Sequence, residues 1–384
     1  MGEFKPTREL IRRIPKIDLH RHLDGALRPA TILELADQQG LDLGVSTIED
    51  LNKLVMKDTP EDLNSYLAAF SITCSVLQSL DSLERVAYEA AIDAASEGVI
   101  YMELRYAPWL HAGGKMEPID TVMAVDRGLA RAEAEVDIKV SLILCSLRNY
   151  MPQGSEYYQT LDKLLEYAPT DREKNKRLAK LVAEQTAYLV VHASKERGIS
   201  RVRGFDLAGS ESDHPARWFA EAFRVVRQHN LFTTVHAGED WGADSIDQAV
   251  KDCHANRIGH GVRILEDAEL MEYLASLPRI CLEMCLTSNL QIIKTIKDIK
   301  NHPFPLLLRD HLMRVTLNTD NPLVSNTDMN KELILAVEAF DLSLKEVGRI
   351  TMNAAKSSFL PPTPRRDLVR RISGYYKTAF QISL

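Results

Sequence analysis

The chain has 384 residues, 45% of them hydrophobic and 26% charged, a balance that excludes a disordered or fibrous chain and leaves apolar material for a sizeable core. Lysine and arginine number 47 against 54 aspartates and glutamates, a formal charge of −7. The basic footprint of a nucleic-acid binder is therefore missing, and the expected partner is a small molecule, with no nucleic acid and no membrane.

The start, MGEFKPTRELIRRIPK, has no apolar signal core, and no later run reaches the ~18 apolar residues of a membrane span, so the expected location is the cytoplasm. Eight short apolar runs then follow: KIDLHRHLD from Lys16, VIYMELRYAP from Val99, KVSLILCSLR from Lys139, VRGFDLAGSE from Val202, FTTVHAGED from Phe232, RIGHGV from Arg257, ICLEMCLTSN from Ile280 and RVTLNTDNP from Arg314. Each opens apolar or β-branched and closes on polar, glycine or charged residues, as a parallel strand does when it leaves a doubly covered core. Amphipathic segments such as TVMAVDRGLARAEAEV and PARWFAEAFRVVRQH suit the crossover helices between them.

This alternation predicts an α/β chain folded as a (β/α)8 TIM-type barrel, because the reactive residues fall at strand C-termini and a barrel gathers those ends into one mouth. Leu27 to Gly98 is helical in pattern and is expected to cover the mouth. A helical expansion between strands 3 and 4 runs over 150–200, and its TDREKNKRLAKLVAEQ is read as a solvated helical face. Nothing divides residues 1–384 into more than one domain. The five cysteines, odd in number and without Cys-x-x-Cys, read as reduced, buried thiols.

Four strand ends carry the chemistry. His20 and His22 are two apart on the first run, so both imidazoles face the same side. His236 ends the fifth run and a glycine turn then presents Glu239. His260 sits between two glycines on the sixth, and Asp320 ends the eighth. Three histidines and an aspartate supply the nitrogen and oxygen ligands that Zn²⁺ takes, with a place left for water. The other seven, His111, His192, His214, His229, His254, His302 and His311, have no such setting and read as surface or structural.

PKIDLHRHLDGALRP, FDLAGSE, VHAGED, RIGHGV, CLTSN and LNTDNP, in this order from about Ile14 to Ser358, resemble the motifs of the adenosine deaminase family, its bacterial branch above all. The resemblance implies that one Zn²⁺ is held by His20, His22, His236 and Asp320 and lowers the pKa of its water toward ~7. It implies that His260 takes or orients the water's proton and that Asp320 hydrogen-bonds the attacking oxygen. Glu239, neutral when substrate binds, would protonate purine N1, so that adenosine or 2′-deoxyadenosine yields inosine or deoxyinosine and ammonia.

For the nucleoside, the resemblance implies the Gly209 N–H on N3, Asp24 on the ribose 5′-hydroxyl, and Leu63, Tyr66, Leu67 and Phe70 as an apolar gate; His22 also faces the substrate. From the residues alone, Gly209 reads equally as a turn glycine, Asp24 as a helix N-cap, and the gate as the buried face of any helix. The chain departs from the family at Asp320-Asn321, where two aspartates are usual. The resemblance implies that the second carboxyl meets purine N7; an amide can donate there without needing a proton, so the change need not abolish activity, while the preferred substrate becomes open. Besides adenosine, the sequence leaves adenine or a modified adenine nucleoside, an amide- or ester-cutting barrel hydrolase, and a silent nucleoside-binding protein.

Overall fold

The computed structural model describes residues 5–56, 66–67, 69–149, 155–164, 167–277, 279–311 and 313–384. The eight apolar runs are its eight strands: β1 (Lys16–His22), β2 (Val99–Tyr106), β3 (Lys139–Leu147), β4 (Val202–Ala208), β5 (Phe232–Ala237), β6 (Arg257–His260), β7 (Cys281–Met284) and β8 (Arg314–Leu317). All neighbours pair in parallel, in the order β1 to β8. The ring closes just past β8: His22 N–H donates to the Asp320 carbonyl at 2.8 Å, and Asp320 N–H to the His20 carbonyl at 2.7 Å. The fold is the (β/α)8 barrel.

Helices follow the strands on the outside. Pro118–Glu135 starts at a proline in its first turn, behind a reciprocal Glu117–Asp120 capping box, and Leu344–Ser357 starts behind Ser343 and Glu346. Of the Leu27–Gly98 stretch, Phe70–Ser75 leans over the mouth, whereas Leu80–Ser96 is an outer crossover helix against Pro118–Glu135. The expansion holds two helices, Glu156–Leu164 and Asp171–Val191. The charged start of the second is solvated as expected, but from Leu178 onward it buries Leu178, Ala179, Val182 and Ala183. Four cysteines are buried, Cys74 is half-buried, and all five are free thiols. Among the described residues no helix is long and apolar enough to cross a membrane.

Inside the barrel the strands carry charge as well as hydrocarbon. Glu103 and Arg105 on β2, Asp206 on β4, Arg257 on β6 and Glu283 on β7 are all fully or almost fully buried. Arg105 donates to Asp206 at 3.1 Å and to Glu283 at 2.9 Å, while Arg257 bridges Glu103 and Glu283. A charge inside a doubly covered sheet costs several kcal/mol unless paired, so these side chains lock the interior into one arrangement.

A second buried cluster sets the end of β1. Arg21, between the two histidines of that strand, points the other way and donates to both Glu97 oxygens at 2.9 and 2.7 Å and to Asp18 at 3.1 Å. Replacing it by methionine leaves two buried carboxylates without their cation. Arg21→Met should lower the unfolding free energy by about 3–5 kcal/mol, read from urea denaturation; a loss below about 1 kcal/mol would show the cluster to be dispensable.

Candidate active site

At the C-terminal mouth the ends of β1, β5 and β8 bring His20, His22, His236 and Asp320 together. The Nε2 of His22 lies 3.3 Å from that of His20 and 3.2 Å from that of His236. Asp320 Oδ1 is 3.5 Å from the Nε2 of both His20 and His22. On the far side of the rings, His20 Nδ1 is 2.8 Å from Glu283, and His236 Nδ1 is 3.1 and 3.2 Å from the two Asp206 oxygens. Carboxylates accept, so both rings carry their proton on Nδ1 and turn unprotonated Nε2 lone pairs toward each other.

With the His22 proton on Nδ1 as well, three Nε2 lone pairs converge at a separation where they repel unless a cation takes them up. Four ligands placed about 2.0–2.1 Å from one tetrahedral ion stand roughly 3.3–3.4 Å apart, which is the spacing found here. The donor set therefore fits a metal ion. Neutral nitrogen ligands also require unprotonated rings, and burial lowers the His22 pKa well below its ordinary value. Burial alone would raise Asp320, but the imidazoles of His20, His260 and His22 around it hold its pKa down.

Glu283 and Asp206 are the partners that sequence reasoning passed over. The signal was present as a charge in the middle of an apolar run, CLEM and GFDLA, which a buried parallel strand tolerates only when that charge is paired.

Glu239 follows the glycine turn after β5, 5% exposed, and its Oε1 has no hydrogen-bond partner among the described residues. Burial, then the negative charges of Asp320, Glu211 and Asp240, push its carboxyl well above the ordinary range. Glu211 also fixes the turn: its carboxylate accepts the N–H groups of Gly238, Glu239 and Asp240 at 3.0, 2.9 and 3.2 Å. It sits two residues past the FDLAG run and was not singled out from sequence.

His260 Nε2 lies 3.5 Å from Glu239 Oε1. Its other nitrogen is 3.0 Å from Asn289 Nδ2, whose Oδ1 accepts the Cys285 N–H. An amide NH₂ only donates, so His260 Nδ1 is the acceptor and the proton resides on Nε2. Burial keeps this ring neutral. His260 and Asp320 both have φ of 61°, left-handed backbone that non-glycine residues rarely adopt. Each holds its side chain in the mouth at a cost of order 1–2 kcal/mol.

These groups open on one cavity of about 810 Å³, ample for a nucleoside. His22, Asp24, Tyr66, Leu67, Phe70, Gly209 and Asn321 line it with Glu239, His260 and Asp320; His20 lies beneath. Leu63 lies outside the described residues. Gly209 has φ of 88°, and a Cβ there would meet Asn149 Oδ1 at 2.7 Å. Asp24 does not cap a helix: the helix from Pro29 has Arg28 at its N-cap, with no side-chain cap. Burial pushes the Asp24 carboxyl up to about 7. Asn321 packs on Gly25, whose absent side chain makes the room. Ser155, Glu156 and Gln159 from the expansion also reach the cavity wall; their polar pattern gave no sign of it.

A barrel whose mouth joins a metal-ligand set to a buried carboxylic acid is built for hydrolysis. The sequence model of adenosine deaminase matches residues 15–172 and 170–375. The chain belongs to the adenosine deaminase family and is an enzyme, a hydrolase of C–N bonds acting on adenosine-like purines. It is 36% identical to the adenosine deaminases of Mycobacterium avium (strain 104), over 95% of both chains, and of Mycobacterium tuberculosis (strain H37Rv), over 96% of this chain and 95% of that one. Among solved structures it resembles the Arabidopsis N6-mAMP deaminase (26% identity, TM-score 0.76, 95% of this chain and 99% of the other). The adenine deaminase of Arthrobacter aurescens shares the fold (23% identity, TM-score 0.78, 94% and 99%).

Asp206→Asn keeps a hydrogen-bond acceptor for His236 but removes the charge that makes the ring a better ligand. Metal affinity should fall by about 10–100-fold, measured by competition with a chelator; an unchanged affinity would show that Asp206 does not act through His236.

Proposed function

We propose that the protein hydrolyses adenosine and 2′-deoxyadenosine to inosine and deoxyinosine with release of ammonia, using one Zn²⁺ held by His20, His22, His236 and Asp320. The observation that carries this reading is Glu239, a buried carboxyl whose Oε1 has no hydrogen-bond partner among the described residues, kept neutral beside the ionised Asp320 in the same cavity as Gly209. The pair supplies an acid for a ring nitrogen on one side and a backbone donor on the other, the pattern that N1 and N3 of a purine present. The 36% identity to chains named adenosine deaminase supports the same substrate.

Zinc at this site supplies a Lewis acid that lets water lose a proton near pH 7. The chain's residues do the rest. Asp320, ionised, accepts a hydrogen bond from the attacking oxygen, and His260, with its proton on Nε2, orients that oxygen as a donor. Glu239 gives its proton to N1, which weakens the N1–C6 double bond and opens C6 to addition; ammonia then departs. The Gly209 N–H meets N3, Asp24 meets the 5′-hydroxyl, and Tyr66, Leu67 and Phe70 cover the base and exclude water.

The test is Glu239→Gln. Glutamine preserves shape but has no acidic proton, so kcat for adenosine should fall by more than ~100-fold while metal content and Tm stay unchanged. Near-normal turnover in a metal-replete variant would remove Glu239 from the mechanism.

A second reading, another 6-aminopurine such as adenine or a modified adenine nucleoside, is favoured by Asn321 alone. If its amide donates to N7, 7-deazaadenosine leaves that donor unpaired, and kcat/KM should fall about 10–100-fold relative to adenosine. Equal turnover of the two nucleosides would show that Asn321 does not read N7. Lower adenosine turnover in Asn321→Asp, beside a much better substrate for the native enzyme, would support the second reading.

A further inference from the structure

Beside the nucleoside cavity a carboxylate, a thiol and an imidazole come together from three separate segments. Asp24 follows β1, Cys74 lies on the Phe70–Ser75 helix, and His111 ends the short turn of Pro108–Leu110 after β2. One ligand atom from each lies within 4.8 Å of the other two. Asp24 and Cys74 face the cavity, whereas His111 is fully buried and outside its lining.

The hydrogen-bond ledger of this trio does not close. Neither ring nitrogen of His111 makes a well-formed hydrogen bond among the described residues, though the ring approaches the Leu77 backbone, and Asp24 Oδ1 makes none although Asp24 is only 6% exposed. The nearest histidine nitrogen to Asp24, His22 Nδ1, is 4.0 Å away, beyond hydrogen-bond range. Burial lowers the His111 pKa to about 4, with the Leu77 backbone pulling weakly the other way, so the ring is neutral and offers a lone pair. Buried polar groups almost always have a partner, whether protein, water or ion.

Sulfur decides what kind of ligand fits. A thiol is a weak hydrogen-bond partner, so Cys74 adds little to a bound water. A nitrogen, a sulfur and an oxygen donor together suit a borderline or soft divalent cation. Ligands of a tetrahedral ion stand about 3.3–3.8 Å apart, so the trio needs at most roughly 1.5 Å of contraction.

We propose that Asp24, Cys74 and His111 form a second cation site, separate from the four ligands at the barrel mouth, which takes a thiophilic divalent ion such as Zn²⁺ or Cd²⁺. On binding, the thiol releases its proton to solvent and coordinates as thiolate. If Asp24 meets the ribose as proposed above, the second ion and the nucleoside compete for the same carboxylate, and excess metal inhibits.

The experiment starts from protein holding one zinc per chain, titrated with Cd²⁺ without nucleoside and analysed for both metals. The expected result is one further cadmium per chain, zinc retained, and an ultraviolet thiolate-to-cadmium charge-transfer band. Cys74→Ser should abolish the band and His111→Phe should weaken the second ion at least tenfold, each variant keeping its one zinc as the sign of an intact fold. No ion beyond the zinc in the native protein, or a band that survives Cys74→Ser, overturns the site. A separate assay follows KM: cadmium should raise KM for adenosine with little change in kcat. A filled second site that leaves KM unmoved overturns the competition with nucleoside, whatever the stoichiometry shows.

Discussion

The Glu283 carboxylate, buried inside the barrel among Arg105, Arg257 and His20, is the contact on which the mouth depends. Its two oxygens receive four donors: the His20 ring and Arg105 on one, Arg257 and the Thr234 hydroxyl on the other. Because it can only accept, it decides where His20 keeps its proton, and so which ring nitrogen faces the mouth. Asp206 does the same for His236, and Arg105 ties the two carboxylates together. Such pairs return little net stability after desolvation. What they return is orientation: two rings with a fixed tautomer and no freedom to turn.

The same economy of placement separates the two acids of the site. Asp320 is surrounded by imidazoles and stays ionised, whereas Glu239 lies buried among carboxylates and stays neutral. Environment alone gives two chemically similar groups opposite proton habits, the usual sign of an acid and an acceptor working in one reaction. Glu211 contributes twice, by gripping the turn that carries Glu239 and by adding a negative charge beside it.

Much of this was legible in the chain. Buried parallel strands announce themselves as apolar runs, and all eight begin within a residue of where the runs do. Their polar ends marked the mouth, and His20, His22, His236 and Asp320 stood out because ligand-type residues occupied four such ends. The partners beneath were less legible: a charge at Glu283 or Asp206 shows that a counter-charge exists, not which strand supplies it. Asn289 was quoted as part of CLTSN, yet its hold on the His260 tautomer depends on a contact across 29 residues of chain. His111 read as surface or structural because nothing in its local pattern shows Asp24 and Cys74 arriving beside it. The Glu156–Leu164 helix was opaque for a similar reason, since a polar helix looks alike whether it faces solvent or a cavity.

The closure of the ring has a kinetic side. His22 and Asp320, which close β8 onto β1 through backbone hydrogen bonds, lie at opposite ends of the chain, and Asp18 bonds Thr319 across 301 residues at the same seam. Contacts this distant carry a large loop-closure entropy and are expected among the last to form. The seam is also where two histidines from one end of the chain meet an aspartate from the other. An ion bound by those side chains joins the first strand to the last without a covalent bond. It would act as a clasp, holding the ring shut against the fluctuation that would open it, so that loading a metal there would slow unfolding as well as arm the site.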